Sequence, residues 1–221
     1  MTSYSLALAV KDLKVEFRTL RMIVTMLIFS LMVVMAFRFA FLFYNRDIEP
    51  SVAPILWVTF TFAGMFGLVS SFSREKDTGS LQGLMLCPTG RWSIYLGKLL
   101  SNLALLLIVD FSALLFFAVF FNFDFHGNIL PLIGIVILGT VAFAVIGTLI
   151  AALSVNARGR ESLLTILMVP LIIMTILLPS IDATSKVLES TFPENEIRML
   201  AMFSIVYLAL SYVLFYRVME G

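Results

Sequence analysis

The 31 residues Gly127–Ala157 carry no Asp, Glu, Lys or Arg, and a run of that kind leaves a chain few places to fold. A bilayer core about 30 Å thick is crossed by roughly 20 apolar residues wound as an α-helix. Comparable uncharged runs recur at Ser51–Ser73 (23 residues), Ser162–Ile181 (20) and Met199–Tyr216 (18). Met22–Asn45 also spans if Arg38, near its far end, reaches towards the headgroups. Leu99–Phe123 spans if Asp110 is accommodated near its middle. Six transmembrane helices are therefore expected, near residues 22–45, 51–73, 99–123, 129–153, 162–181 and 199–217. The expected fold class is an all-α integral membrane protein, one domain over residues 1–221.

Composition agrees. Hydrophobic residues make up 61% and charged residues 13%, with a mean hydropathy of +1.04, against about 45–50% and 25% in ordinary globular chains. Too little polar surface remains to cover a soluble domain, which excludes a cytosolic enzyme and a disordered tail. A net charge of +1 supplies no field to draw nucleic acid. The single cysteine and single histidine exclude an internal disulfide or a His- or Cys-rich metal site made by this chain alone. The first apolar stretch is longer than a signal-peptide core and no small-x-small cleavage site follows it, so it is read as a span.

The few charges set an orientation. With the N-terminus inside, the inner segments hold eleven of the fifteen basic residues and the outer segments hold Arg38, Arg46, Lys186 and Arg198. The positive-inside rule then places both termini in the cytoplasm.

Residues 1–21 form an expected amphipathic helix. Leu6, Val10, Leu13, Phe17 and Leu20 recur at steps of four and three, while Lys11, Asp12, Lys14, Glu16, Arg18 and Arg21 occupy much of the remainder. Such a helix lies in the membrane interface or packs on a partner. Between the second and third spans, Asp77 or Thr78 caps a short expected helix on which Leu81, Leu84 and Met85 share a face, and Pro88 ends it near Cys87. Trp92 and Tyr95 then lead into the third span at interface depth. The outer connections are a short turn at Phe121–Asn128 and a longer acidic segment at Ile181–Arg198.

Small residues line two spans at four-residue spacing: Thr59, Ala63, Gly67 and Ser71, and Thr140, Ala144, Thr148 and Ala152. Lines of this kind let helix backbones approach closely where lipid supplies no hydrophobic drive. Pro170 suggests a bend. Asp110, the one acid well inside a span, must face protein or water; it serves as a proton relay, as a polar contact on a translocation path, or as an interhelical hydrogen bond. His126 in the short outer turn is either a contact for haem or a partner, or simply solvated. Cys87-Pro88 matches a haem-regulatory dipeptide and equally a plain helix end. Gly90–Lys98 fails as a phosphate loop, because six residues rather than four separate its glycines and Leu99 replaces the Ser or Thr. No catalytic set is apparent, so any ATP hydrolysis belongs to another subunit.

Two stretches carry a family resemblance. Phe72-Ser-Arg-Glu-Lys-Asp-Thr-Gly-Ser-Leu-Gln-Gly-Leu-Met-Leu86, through Leu96-Gly-Lys98, resembles the cytochrome c maturation B family of haem exporters. So does Gly147-Thr-Leu-Ile-Ala-Ala-Leu-Ser-Val-Asn-Ala-Arg-Gly-Arg160, followed by Leu163–Leu171. The resemblance covers roughly residues 50–180; the remainder matches in hydropathy, and Cys87 stands apart from the pattern. It implies an ABC-2-type permease subunit, not itself an enzyme, acting in haem export or in ATP-driven release of a haem-loaded chaperone. The implied partners are an ABC ATPase (maturation protein A), a haem-handling membrane protein (C), a small membrane protein (D) and a haem chaperone (E). The implied permease is a homodimer in the inner (cytoplasmic) membrane, with no cofactor in this chain, transient haem as cargo and ATP on the partner. The short loop helix would couple to the ATPase through Glu75, Lys76, Asp77, Gly79, Leu81, Leu84 and Met85. The alternatives are an ABC-2 permease for a drug, lipid or polysaccharide, and a non-transporting scaffold of a maturation complex.

Overall fold

The computed structural model of the chain describes residues 2–44, 48–77, 90–123, 128–154 and 170–218. Apart from short turns these residues are helical, and no strand occurs among them. Helix α1 is Thr2–Thr19 and α2 is Arg21–Tyr44. A single 3-10 turn at Glu49–Ser51 opens α3, Val52–Asp77. Then come α4, Arg91–Phe121, and α5, Ile129–Ser154. A π turn at Ile173–Leu177 runs into α6, Leu178–Leu188, and α7 is Glu194–Val218.

Among the described residues, five helical stretches are long and apolar enough to cross a membrane: Arg21–Phe43, Trp92–Phe121, Ile129–Ala152, Pro170–Leu188 and Glu194–Leu214. The second expected span corresponds to a shorter apolar stretch, Val52–Leu68, within α3. Helices are what lipid demands, since each backbone N–H and C=O must find its partner inside the same segment.

Several expected boundaries move. The helix of the third expected span, α4, begins at Arg91 rather than 99, so Trp92, Tyr95 and Lys98 belong to it. The expected fifth span, 162–181, ends later: residues 162–169 lie outside the described residues, and the apolar helix runs on to Leu188. The outer segment expected at Ile181–Arg198 therefore shrinks to residues 189–193, because helix α6 fills most of it and α7 starts at Glu194. Ser190 at φ 59 helps turn that short link. Pro170 is the first described residue of its helix, so the bend expected there lies outside the described residues; a π turn occurs at Ile173–Leu177, just before Pro179. Proline lacks an N–H and its ring presses on the carbonyl four residues earlier, here that of Thr175; widening the turn at that point relieves the clash.

The buried side chains form two layers stacked along the helix axes. One gathers Met22 and Met26 of α2, Tyr95 and Leu106 of α4 and Phe143 of α5. The other gathers Val34, Trp57, Phe117, Leu132 and Ala183 towards the opposite end. Helix α5 is the central element, every residue from 142 to 152 being buried. The two expected lines of small residues are contact lines: Thr59, Ala63, Gly67, Thr140, Ala144, Thr148 and Ala152 are all buried. The Ser71 side chain lies outside the description. A Cβ at Gly67 would press on Met26 Sδ, and one at Gly64 on Phe143 and Leu106.

Helix α1 docks on the first turns of α4 through Ser5, Ala9 and Glu16, with Leu8 and Leu13 partly buried against the core, while Leu6, Val10, Phe17 and Leu20 stay exposed. An ion pair fixes the contact. Lys98 Nζ sits 2.6 Å from Asp12 Oδ2, with the lysine side chain only 6% exposed, and a buried charge is tolerable only when paired. At the elbow, Leu20 turns at φ 52. Glu16 Oε1 then accepts the N–H groups of Met22 (2.6 Å) and Ile23 (3.2 Å), capping α2.

Gly139 faces Trp57 so closely that a Cβ would overlap the indole. Gly139→Ala should therefore lower the thermal midpoint of the detergent-solubilised chain, at a cost of about 1–3 kcal/mol. Gly134→Ala is the control, because a Cβ there meets nothing within 4 Å, and its midpoint should stay put.

Candidate functional site

Polar side chains inside the bundle concentrate on one seam. Helices α4 and α5 run antiparallel, and two contacts two turns apart keep the same register. Asn102 Nδ2 donates to Thr148 Oγ1 at 3.1 Å, and Thr140 Oγ1 lies 2.7 Å from Asp110 Oδ2. In each pair the residue numbers sum to 250, so the two bonds belong to one ladder, with Leu106 and Ala144 at the level between them. All four polar residues are buried.

The Thr140 hydroxyl is also 2.7 Å from the Val136 carbonyl oxygen, and its single hydrogen serves one of these two acceptors at a time. Asp110 Oδ1 is buried without a hydrogen-bond partner among the described residues, as is Ser180 Oγ on α6. The carboxyl group therefore faces protein, as its depth requires, and its hydrogen-bond partner there is an interhelical hydroxyl. Of the roles open to Asp110, the geometry displays the interhelical bond.

Two more sets of contacts join helices, one beside this seam and one from it to α7. Trp57 Nε1 on α3 donates to Thr184 Oγ1 on α6 at 2.8 Å. The Tyr95 hydroxyl on α4 lies 3.0 Å from the Val145 carbonyl and 2.9 Å from Ser211 Oγ on α7. Trp92 stacks on Tyr95 and meets Tyr212 edge-on. At the opposite end Arg38 lies 5.6 Å above the Phe121 ring, so the one basic residue inside α2 finds an aromatic face. Near the same end Lys186 pairs with Glu196 at 2.7 Å, joining α6 to α7.

The expected ATPase-coupling residues divide. Glu75, Lys76 and Asp77 form the last turn of α3, which continues past the expected span end at 73; their side chains are outside the description. Asp77 is the last described residue of that helix, and the short helix expected after it lies outside the described residues. Gly79, Leu81, Leu84 and Met85, with Cys87, fall in 78–89, outside the described residues, and so does His126. Among the described residues no group of three or more His, Cys, Asp or Glu is placed to hold a metal ion.

Sequence reasoning missed Asn102, Tyr95 as a hydrogen-bonding residue, the Trp57–Thr184 bond and the Lys98–Asp12 pair. A signal existed for Asn102 and Thr148. Each is polar within an apolar run, and such residues need partners on neighbouring helices.

A bundle of long apolar helices, with its polar side chains committed to interhelical contacts, defines a multi-pass α-helical membrane protein. The description "CcmB protein" belongs to the family that matches residues 3–217. The chain therefore belongs to the CcmB family, cytochrome c maturation protein B, the ABC-2-type permeases of haem export. The family is a membrane component of the haem-export system for cytochrome c maturation, which works with an ABC ATPase. No curated protein matched the chain in a sequence comparison.

The ladder predicts coupled losses. Asn102→Leu and Thr148→Val should each destabilise the detergent-solubilised chain by about 0.5–2 kcal/mol. The double variant should cost less than their sum, as a double-mutant cycle on thermal unfolding would read. Strict additivity would mean that the two residues do not interact.

Proposed function

We propose that the chain is the membrane permease subunit of an ABC exporter acting in cytochrome c maturation, seated in the inner (cytoplasmic) membrane with both termini in the cytoplasm. The observation that carries this reading is the family match across residues 3–217. Six spans are proposed, the second being α3, whose apolar stretch Val52–Leu68 continues as helix to Asp77. The transport step is haem export or the ATP-driven release of a haem-loaded chaperone, haem being cargo and not a resident cofactor.

The work of each part follows from its chemistry. The chain contributes no nucleotide site, so ATP binds and is hydrolysed on the partner ATPase, maturation protein A. The haem-handling membrane protein (C), the small membrane protein (D) and the haem chaperone (E) complete the assembly, with two copies of this chain and two ATPase chains. The segment from Glu75 to Met85 enters the ATPase groove. Glu75 and Lys76 sit at its edge, Asp77 and Gly79 belong to the same segment, and Leu81, Leu84 and Met85 supply the apolar anchors. His126 touches haem or a partner at the outer turn. Asp110 holds α4 against α5 in the conformation on which that movement acts.

The test is co-purification from membranes under mild detergent. Glu75→Lys and Leu84→Asp should each strip the ATPase from the chain while leaving the chain itself in the membrane at normal abundance. Unchanged recovery of the ATPase with both variants would refute the coupling segment. In reconstituted membranes the permease should also change the partner's ATPase rate. A rate indifferent to this chain would favour a non-transporting scaffold. A drug, lipid or polysaccharide exporter would purify without haem absorbance and without the haem-handling protein, the small membrane protein or the chaperone.

A further inference from the structure

Helix α1 has three faces, and only one of them is used by the fold. Ser5, Ala9 and Glu16 are buried and Asp12 is 16% exposed through its side chain. Along an α-helix, at about 100° per residue, these four positions fall on one side. Leu6, Val10 and Phe17 fall on a second side, roughly a quarter turn away, and are 61%, 41% and 52% exposed. Lys14 and Arg18 fall on a third and are exposed; Lys11 falls there too, half exposed, with its Nζ 2.9 Å from Asp12 Oδ1.

The level of this helix can be read from its neighbours. Met26 meets Gly67 and Phe29 meets Phe66, so α2 and α3 are antiparallel. With one crossing helix between them, α2 and α4 run in the same direction. At the far end Arg38 lies on Phe121. Counting back, Arg21 is about 26 Å from that level and Gly97 about 36 Å, at about 1.5 Å per residue. Helix α4 therefore overhangs the start of α2 by about 10 Å. It is on this overhang that α1 sits: a Cβ at Gly97 would touch Leu8 and the Ser5 carbonyl, and Lys98 holds Asp12. An overhang of that size beyond the start of a span is headgroup depth.

We infer that α1 binds the anionic phospholipid of the leaflet it lies beside. Leu6, Val10 and Phe17 enter the acyl boundary, and Lys11, Lys14 and Arg18 meet the phosphate and acidic headgroups. Charge complementarity selects this occupant. An apolar face beside a basic face suits a negatively charged lipid surface. The polar residues that would oppose insertion, Asp12 and Glu16, are turned onto α4 and onto the start of α2. The Lys98–Asp12 pair and the Glu16 cap thus serve as positioning contacts that aim the other two faces.

Single cysteines at Leu6, Val10 and Lys14, in a full-length Cys87→Ser chain, would carry an NBD fluorophore. The labelled chain would be reconstituted in phosphatidylcholine vesicles with and without phosphatidylglycerol. At Leu6 and Val10, a blue shift and quenching by shallow doxyl-lipid are expected, increasing with phosphatidylglycerol and falling at high salt. The triple variant Lys11→Gln, Lys14→Gln, Arg18→Gln should lose the phosphatidylglycerol response at Leu6 and Val10. The charge-keeping variant Lys11→Arg, Lys14→Arg, Arg18→Lys should retain it, which separates charge from misfolding. Blue-shifted labels untouched by doxyl-lipid would assign the face to a protein partner or a second copy and overturn the inference. So would labels in a water-like environment, or quenching indifferent to phosphatidylglycerol. Each of these results leaves the ATPase co-purification test standing.

Discussion

Water is absent from a bilayer core, so a polar group placed there has only the protein for a partner. The backbone meets that condition by coiling into helices such as α4, whose 31 residues extend beyond the core thickness. Side chains meet it across helices. Asn102 with Thr148, Asp110 with Thr140, Trp57 with Thr184 and Tyr95 with Ser211 join α3 to α6, α4 to α5 and α4 to α7. Apolar packing makes the bundle dense without choosing one rotation or height for each helix. The few polar pairs make that choice, because a shift of one turn would leave them unsatisfied in a medium where this is expensive.

The same economy governs the charges. Lys98 is nearly enclosed and is tolerated because Asp12 lies against it, and Glu16 finds the free N–H groups at the start of α2. Those two carboxylates set how α1 is rotated about its own axis. Once they are turned inward, the hydrophobic side chains spaced along the helix point away from the bundle. An exposed row of Leu6, Val10 and Phe17 would be a liability in water, but beside a membrane it is an anchor.

Much of the fold was legible in the sequence. Uncharged runs located the spans because transfer of a charge into lipid is costly, and lines of small residues marked contact faces because close helix approach needs them. Asp110 stood out for the same reason. The family resemblance, read from residues 50–180, extends to 3–217. The face of α1 that packs was not legible. Hydrophobic periodicity finds an amphipathic helix, yet the packed face here mixes Ser5, Ala9, Asp12 and Glu16 with the partly buried Leu8 and Leu13, and is held by a lysine 86 residues away. The π turn ahead of Pro179 was equally hidden, because hydropathy does not register a proline's clash with the carbonyl four residues earlier.

By itself, then, the sequence determined the medium in which this protein exists, the rough position of its apolar segments and the family it resembles. These depend on the transfer free energy of each residue, a quantity that adds along the chain. Which hydroxyl answers Asn102 or Asp110, which face of α1 is buried and how far α4 overhangs α2 were decided only by tertiary structure. Those outcomes depend on pairs of groups remote in sequence, whose energy appears only when both leave water together.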